Sequence, residues 1–197
     1  MTAFSAFVLA GGKSLRMGSE KAELVLGGAP LLEIATRKAL ALTGTVFIVG
    51  SRTKFGSEAI EDIFPERGPL GGIHAALSHS QTELNLMFAV DLPFAPVDFL
   101  RLLWKRAEDS AALVIVPRIA SGWQPLCAIY RREFRDFAEE SLKAGRNKID
   151  PLFSKVAVEI LDEAALQTAG FSPAIFDNLN TPEDFAGAQL RFERERS

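Results

Sequence analysis

Strongly apolar, β-prone runs at Ala6 to Ala10, Thr45 to Val49, Asn85 to Val90, Ala112 to Val116 and Leu126 to Tyr130 punctuate this chain, with a weaker run at Val156 to Leu161. Between them lie segments of helical period, including Leu31 to Leu42, Gly72 to Ser80, Val97 to Ala107 and Arg131 to Leu142. The strand runs are continuous rather than alternating apolar with polar, so both of their faces must be covered. Strand–helix alternation with doubly covered strands predicts an α/β fold, a three-layer sandwich around a mostly parallel central sheet. Such sheets collect ligands at the carboxyl ends of their strands. The loop after the first strand, Gly50 at the end of the second and Asp91 at the end of the next central strand would then open on one crevice. Pro182 and Glu183 read as the start of a last helix with Thr181 as its N-cap.

With 197 residues, 48% of them hydrophobic, the chain can bury a substantial core as a single domain spanning 1–197. A formal net charge of −3 offers no basic surplus for a polyanion, so nucleic acid is not an expected partner. The single cysteine, Cys127, excludes an internal disulfide, and with His74 and His79 it makes no zinc-ligand spacing, which points to a reducing, cytoplasmic setting. No apolar run approaches the ~20 residues of a membrane span, and no membrane association is expected. The least regular stretches, Arg118 to Gln124 and Ala144 to Pro151, are where mobile substrate-covering loops are expected.

The chemistry concentrates where the first strand ends, at Leu9-Ala10-Gly11-Gly12-Lys13-Ser14-Leu15-Arg16-Met17-Gly18-Ser19-Glu20-Lys21. An apolar strand that empties into a glycine-rich, cation-bearing loop can converge backbone N–H groups on phosphate oxygens without obstructing side chains. Two familiar phosphate loops fail to match. A Walker loop needs a glycine where Phe7 stands, and the dinucleotide fingerprint needs a glycine spacing that Gly11, Gly12 and Gly18 do not have.

What remains, Leu-Ala-Gly-Gly followed by Ser-x-Arg-Met-Gly and a lysine, strongly resembles the molybdenum cofactor guanylyltransferases, the MobA family within the nucleotidyltransferases. The likeness continues through Asp62 before Phe64-Pro65, then Gly68-Pro69-Leu70-Gly71-Gly72, Val90-Asp91-Leu92-Pro93-Phe94, Gln124-Pro125-Leu126 and Asn178-Leu179-Asn180-Thr181-Pro182-Glu183-Asp184. Together these strings span nearly the whole chain. The resemblance implies a Rossmann-like nucleotidyltransferase fold, a nucleotide-binding half over about 1–95 and an acceptor-binding half over about 96–197. The implied reaction transfers GMP from GTP to the phosphate of molybdopterin, releases pyrophosphate, requires Mg²⁺ and ends with hand-over of the product to molybdoenzymes or carrier proteins.

Moving a nucleoside monophosphate between two anions demands charge neutralisation and alignment more than covalent chemistry. Arg16 and Lys21 supply the cations, a guanidinium suited to departing pyrophosphate and a compact ammonium suited to the α-phosphate. Where the family usually has Asp before the motif lysine, this chain has Glu20 and keeps the charge. Asp91 is a lone carboxylate at the end of an apolar strand, a hard ligand of the kind magnesium takes alongside phosphate oxygens. Its bland alternative is an N-cap for the helix near Pro96, which Asp98 makes largely redundant.

Leu9, Ala10, Gly11 and Gly12 line the nucleotide, with Gly50 left to backbone contacts where the family places an asparagine. Asp62 faces the nucleoside, where a carboxylate can accept from guanine N1–H and N2–H₂; otherwise it is a turn residue. Asn180 is a possible contact to ligand or metal-bound water, though asparagine also makes Asx-turns before helices. His74 reads as packed or capping, Cys127 as an inert core residue, and Arg118, Trp123 and Gln124 either border the acceptor pocket or pack a loop. Competing readings are a cytidylyl- or sugar-phosphate nucleotidyltransferase, and a nucleotide-binding accessory protein that has lost turnover. Leu-Ala-Gly-Gly with Asn-Thr-Pro-Glu favours guanylyl transfer, and retention of both Lys21 and Asp91 argues against lost turnover.

Overall fold

A computed structural model describes residues 3–11 and 21–196. Strand β1 (Phe4–Leu9) is followed by a 3-10 turn over Lys21–Glu23 and by a small hairpin, β2 (Val25–Leu26) and β3 (Ala29–Pro30). Helix α1 (Leu31–Leu40), strand β4 (Val46–Val49), a single turn α2 (Arg52–Phe55), helix α3 (Pro69–His79), strand β5 (Leu84–Ala89) and helix α4 (Val97–Asp109) come next. The second half comprises β6 (Val114–Ile119), β7 (Gly122–Trp123), β8 (Cys127–Arg131), α5 (Phe134–Lys143), α6 (Asp150–Phe153), β9 (Val158–Leu161), α7 (Glu163–Thr168) and α8 (Pro182–Arg196).

The main sheet has the order β4-β1-β5-β8-β6-β7, with β9 also paired to β6. Strand β1 runs parallel to β4 and β5, and β6 runs parallel to β9, whereas β8 lies antiparallel between β5 and β6. The sheet is therefore mixed and mostly parallel: β4, β1, β5, β6 and β9 point one way, against β8 and β7.

Burial on both faces follows from the period-2 geometry of the strands. Phe4, Ala6 and Val8 of β1 pack with α1, α4 and α8, whereas Phe7 and Leu9 pack with α3. On β8, Cys127 and Ile129 join the first layer while Ala128 and Tyr130 join α5 and Phe153 in the second. Each strand thus seals two cores, which is why its sequence reads as an unbroken apolar run.

Two local outcomes differ from the sequence expectation. The stretch from Arg118 to Gln124 is a tight hairpin: β7 pairs back onto β6, Gln124 N–H donates to Pro117 O at 2.9 Å, and the Arg118 guanidinium lies 4.9 Å from the Trp123 ring centre. Trp123 in turn packs against Phe153 with the rings tilted and their centres 4.9 Å apart, so side-chain packing orders a segment whose composition looks irregular. Helix α3 begins at Pro69, earlier than its apolar periodicity suggests, because Gly68 adopts a positive φ of 64° and Pro69 pre-sets the first helical turn. No helix among the described residues is long and apolar enough to cross a membrane.

Candidate functional site

The carboxyl ends of β1, β4 and β5 lie side by side because their registers match: Leu9 pairs with both Val49 and Ala89. Just beyond β5, Asp91 leaves the sheet half-buried, and the Lys21 Nζ donates to its Oδ2 at 2.9 Å. The same ammonium donates to Asn180 Oδ1 at 2.7 Å. Two residues lying 70 and 159 positions along the chain from Lys21 thus meet at its ammonium.

Each arm of this constellation is anchored by its own element. Lys21 stands in the 3-10 turn whose end is tied to α1, where Leu31 N–H donates to Leu24 O at 2.9 Å. Asn180 precedes α8, and Leu179 N–H donates to the Asp91 carbonyl at 3.2 Å, which lays the two segments together. A reciprocal capping box closes the helix start: Asp184 N–H donates to Thr181 Oγ1, while Asp184 Oδ2 accepts from the Thr181 and Asn180 N–H groups at 2.9 and 3.0 Å. Those backbone donors, first Asn180 and then Thr181, hold the Asp184 carboxyl below its ordinary range. Thr181 is the N-cap foreseen from the sequence; Asp184 was missed, although the Thr-x-x-acidic spacing signals it.

Asp62 sits elsewhere on the same rim, against the first turn of α3. A Cβ on Gly71 would lie 3.3 Å from Asp62 Oδ2 and 3.2 Å from Phe64 O, and one on Gly72 only 3.1 Å from Leu9 Cδ2. The paired glycines therefore let α3 press against both the Asp62 loop and the end of β1. Burial raises the Asp62 carboxyl above its usual range.

At Gly11 and Gly50, both expected to meet nucleotide, the backbone N–H groups donate within the fold. Ala10 and Gly11 N–H both donate to Val49 O, at 2.9 and 3.2 Å, and Gly50 N–H donates to Ile60 O at 2.9 Å. The segment around Ile60 returns along the end of β4 and bridges Val49, which consumes that donor. What Gly50 supplies is closeness: a Cβ there would strike the Phe55 ring at 2.7 Å and approach Gly11 N at 3.4 Å. Leu9 and Ala10 are buried at the strand end. Gly12 and Arg16, also expected in the site, lie outside the described residues, as does Lys13.

His74 is buried in α3, edge-on to Phe64 at 5.1 Å, and desolvation lowers its pKa; it is a packed residue. Cys127 is fully buried, and burial pushes its thiol far up, leaving it inert. Among the described residues no group of three or more His, Cys, Asp or Glu side chains could hold a metal. The hard oxygens of Asp91 and Asn180 nevertheless converge, since one ammonium reaches both. One carboxylate with one amide oxygen fits a cation that takes its remaining ligands from phosphate and water, and does not fit an all-protein cage.

This chain's residues 6–157 match the family model described as a MobA-like NTP transferase domain. It is 34% identical over 206 residues to a protein of a Nostoc species named probable molybdenum cofactor guanylyltransferase, covering 98% of this chain and 94% of that one. A protein of Syntrophotalea carbinolica named molybdenum cofactor guanylyltransferase is 32% identical over 187 residues, covering 92% and 88%. The crystal structure of molybdopterin-guanine dinucleotide biosynthesis protein A from Archaeoglobus fulgidus superimposes with a TM-score of 0.85 at 27% identity, covering 96% of this chain and 99% of that one.

Proposed function

Because the chain belongs to the MobA-like NTP transferase family, we propose that it is a molybdenum cofactor guanylyltransferase, transferring GMP from GTP to the phosphate of molybdopterin. The observation that carries the mechanism is the meeting of Lys21, Asp91 and Asn180 at the carboxyl ends of β1 and β5.

In this reaction an acceptor phosphate oxygen forms a bond to the α-phosphorus of GTP, the bond from that phosphorus to the bridging oxygen breaks, and pyrophosphate leaves with the electron pair. The acceptor is already ionised, so no strong general base is required. Lys21 has three N–H donors; Asp91 and Asn180 take two, and the third meets an α-phosphate oxygen as its charge develops. Asp91 would hold Mg²⁺ through the carboxylate oxygen that Lys21 leaves open, with Asn180 serving water bound to the ion, and the ion would neutralise the triphosphate and align its oxygens for in-line displacement. The capping box on α8 holds Asn180 in place for that duty. Arg16 and the Gly12 backbone act on the leaving pyrophosphate, and Asp62 accepts from the guanine edge. The nucleotide thus belongs to the half up to about residue 95, with molybdopterin seated by the half that follows.

Incubating the purified protein with GTP or CTP, Mg²⁺ and molybdopterin, and following pyrophosphate release, tests the reading directly. GTP- and acceptor-dependent release is expected. Faster turnover with CTP, or none with either nucleotide, would reject it.

A further inference from the structure

Lys38 lies in the last turns of α1, where a lysine ordinarily serves solvent or the carbonyls ending its own helix. Instead its Nζ crosses to the loop between β5 and α4 and donates to the carbonyls of Pro93 and Ala95, the latter at 2.7 Å. Those acceptors are 55 and 57 residues away in sequence, and both belong to the short segment that begins with Asp91.

From α8, the Arg191 guanidinium lies 3.8 Å from the centre of the Phe94 ring and donates to Ala174 O at 3.1 Å. The Asp91 loop is therefore gripped by α1, the helix following Lys21, and by α8, the helix following Asn180. We propose that Lys38 is a positioning residue for nucleotidyl transfer, stapling the Asp91–Ala95 loop to α1 so that Asp91 keeps its distance to Lys21.

The physical case rests on what each bond can fix. The sheet sets the backbone as far as Val90, whose N–H donates to Leu9 O at 3.2 Å, and Leu179 N–H reaches the Asp91 carbonyl at 3.2 Å. Beyond that point, the bonds from Leu92 N–H to Ala89 O at 3.4 Å and from Ala95 N–H to Leu92 O at 3.3 Å are long. Charge-assisted bonds from one ammonium to two carbonyls of this loop are the stronger restraint. Removing the ammonium frees the loop and leaves two carbonyls to find water, while Asp91, Lys21 and Asn180 remain chemically intact. Misplacement of a reacting group by about 1 Å is enough to cost on the order of 10²-fold in rate.

The proposal rests on the transfer reading above, so its test has one arm that does not. Lys38→Met keeps the stem and removes the charge; Lys38→Arg keeps a cation that can reach both carbonyls. Amide hydrogen exchange of the free protein should show the Asp91, Leu92, Phe94 and Ala95 N–H groups of Lys38→Met exchanging about 10-fold faster, with β5 unchanged. Mn²⁺ binding, read by electron paramagnetic resonance with a GTP analogue uncleavable between the α- and β-phosphates, should weaken about 10-fold. The Mg²⁺ needed for half-maximal turnover should rise in parallel, with Lys38→Arg near wild type in all three.

Unchanged exchange of the Asp91, Leu92, Phe94 and Ala95 amides in Lys38→Met would overturn the staple itself. Faster exchange with unaltered Mn²⁺ and Mg²⁺ dependence, or Lys38→Arg no better than Lys38→Met, would reduce Lys38 to a structural contact and overturn its positioning role. Wild-type protein that transfers no nucleotide would remove the transfer reading, and with it the site Lys38 serves, while the exchange arm still decides whether Lys38 holds the loop.

Discussion

Replacing Asp91 by Asn preserves the shape of a side chain that is 22% exposed, so the fold should survive while the charge facing Lys21 and the triphosphate is lost. Turnover should fall by about 10²-fold or more, on the scale of removing one electrostatic stabiliser from an active site. Near wild-type rate at low millimolar Mg²⁺, with an unchanged melting temperature, would contradict the metal role. Lys21→Ala should likewise depress kcat by roughly 10²-fold with a smaller effect on KM for GTP, because the ammonium is needed most as charge develops. A rise in KM alone would make Lys21 a ground-state anchor.

Asp62 behaves differently because burial raises its carboxyl pKa. A carboxyl whose folded pKa is raised binds its proton more tightly when folded. Stability is then fully present below the unfolded value near 3.8 and is lost as pH rises through the folded pKa. Asp62→Asn removes that cost, so the ligand-free variant should melt higher than wild type at pH 7, with the gain shrinking as pH falls toward 4. The same variant should bind GTP more weakly, since an amide NH₂ opposes the guanine donors. Thermal melts across pH with and without GTP check both signs.

At the scale of elements, the start of α8 shows how a local motif serves a distant site. Thr181 and Asp184 close the helix reciprocally, and Asp184 also holds the N–H of Asn180, whose side chain reaches Lys21. Asp184→Ala should therefore lower kcat by about 10-fold through displacement of Asn180, within the penalty expected for misplaced groups. An Asp184→Ala enzyme with full kcat would show that Asn180 needs no such support. Much of this was legible in the sequence, since the Asn-Thr-Pro-Glu string, the proline at the first helical position and the strand-end Asp91 all carry local signatures.

What was not legible depends on tertiary distance. Nothing in the amphipathic pattern of α1 marks Lys38 as reaching a loop more than fifty residues away. Nor does the glycine at position 50 reveal that its N–H will be spent on Ile60, because that bond exists only once the segment after α2 returns along β4. At Gly71 and Gly72 missing side chains admit Asp62 and Leu9, and motif spacing cannot say which amides the fold itself will consume.

Across the whole molecule, the site joins the beginning, middle and end of the chain: the turn after β1, the loop after β5 and the approach to α8. Each of these segments places a residue in one shared core, Ala22, Leu92 and Leu179 respectively, so an opening of the site loosens contacts over much of that layer. A ligand that bridges Lys21, Asp91 and Asn180 should consequently resist global unfolding rather than merely quiet one loop. At a free concentration of about 100 times its Kd, a ligand specific to the folded state contributes about 2.7 kcal/mol. For a domain of this size, with ~2–4 °C per kcal/mol, GTP with Mg²⁺ should raise the melting temperature by roughly 5–11 °C. CTP at the same concentration should give a smaller shift, because its weaker binding leaves fewer molecules occupied. Asp91→Asn should keep a shift from GTP but lose the part that depends on Mg²⁺, since its contribution is to the metal and not to the base. Equal shifts from GTP and CTP would remove base selection from nucleotide binding in the absence of acceptor, and an undiminished Mg²⁺ effect in Asp91→Asn would move the metal to other oxygens.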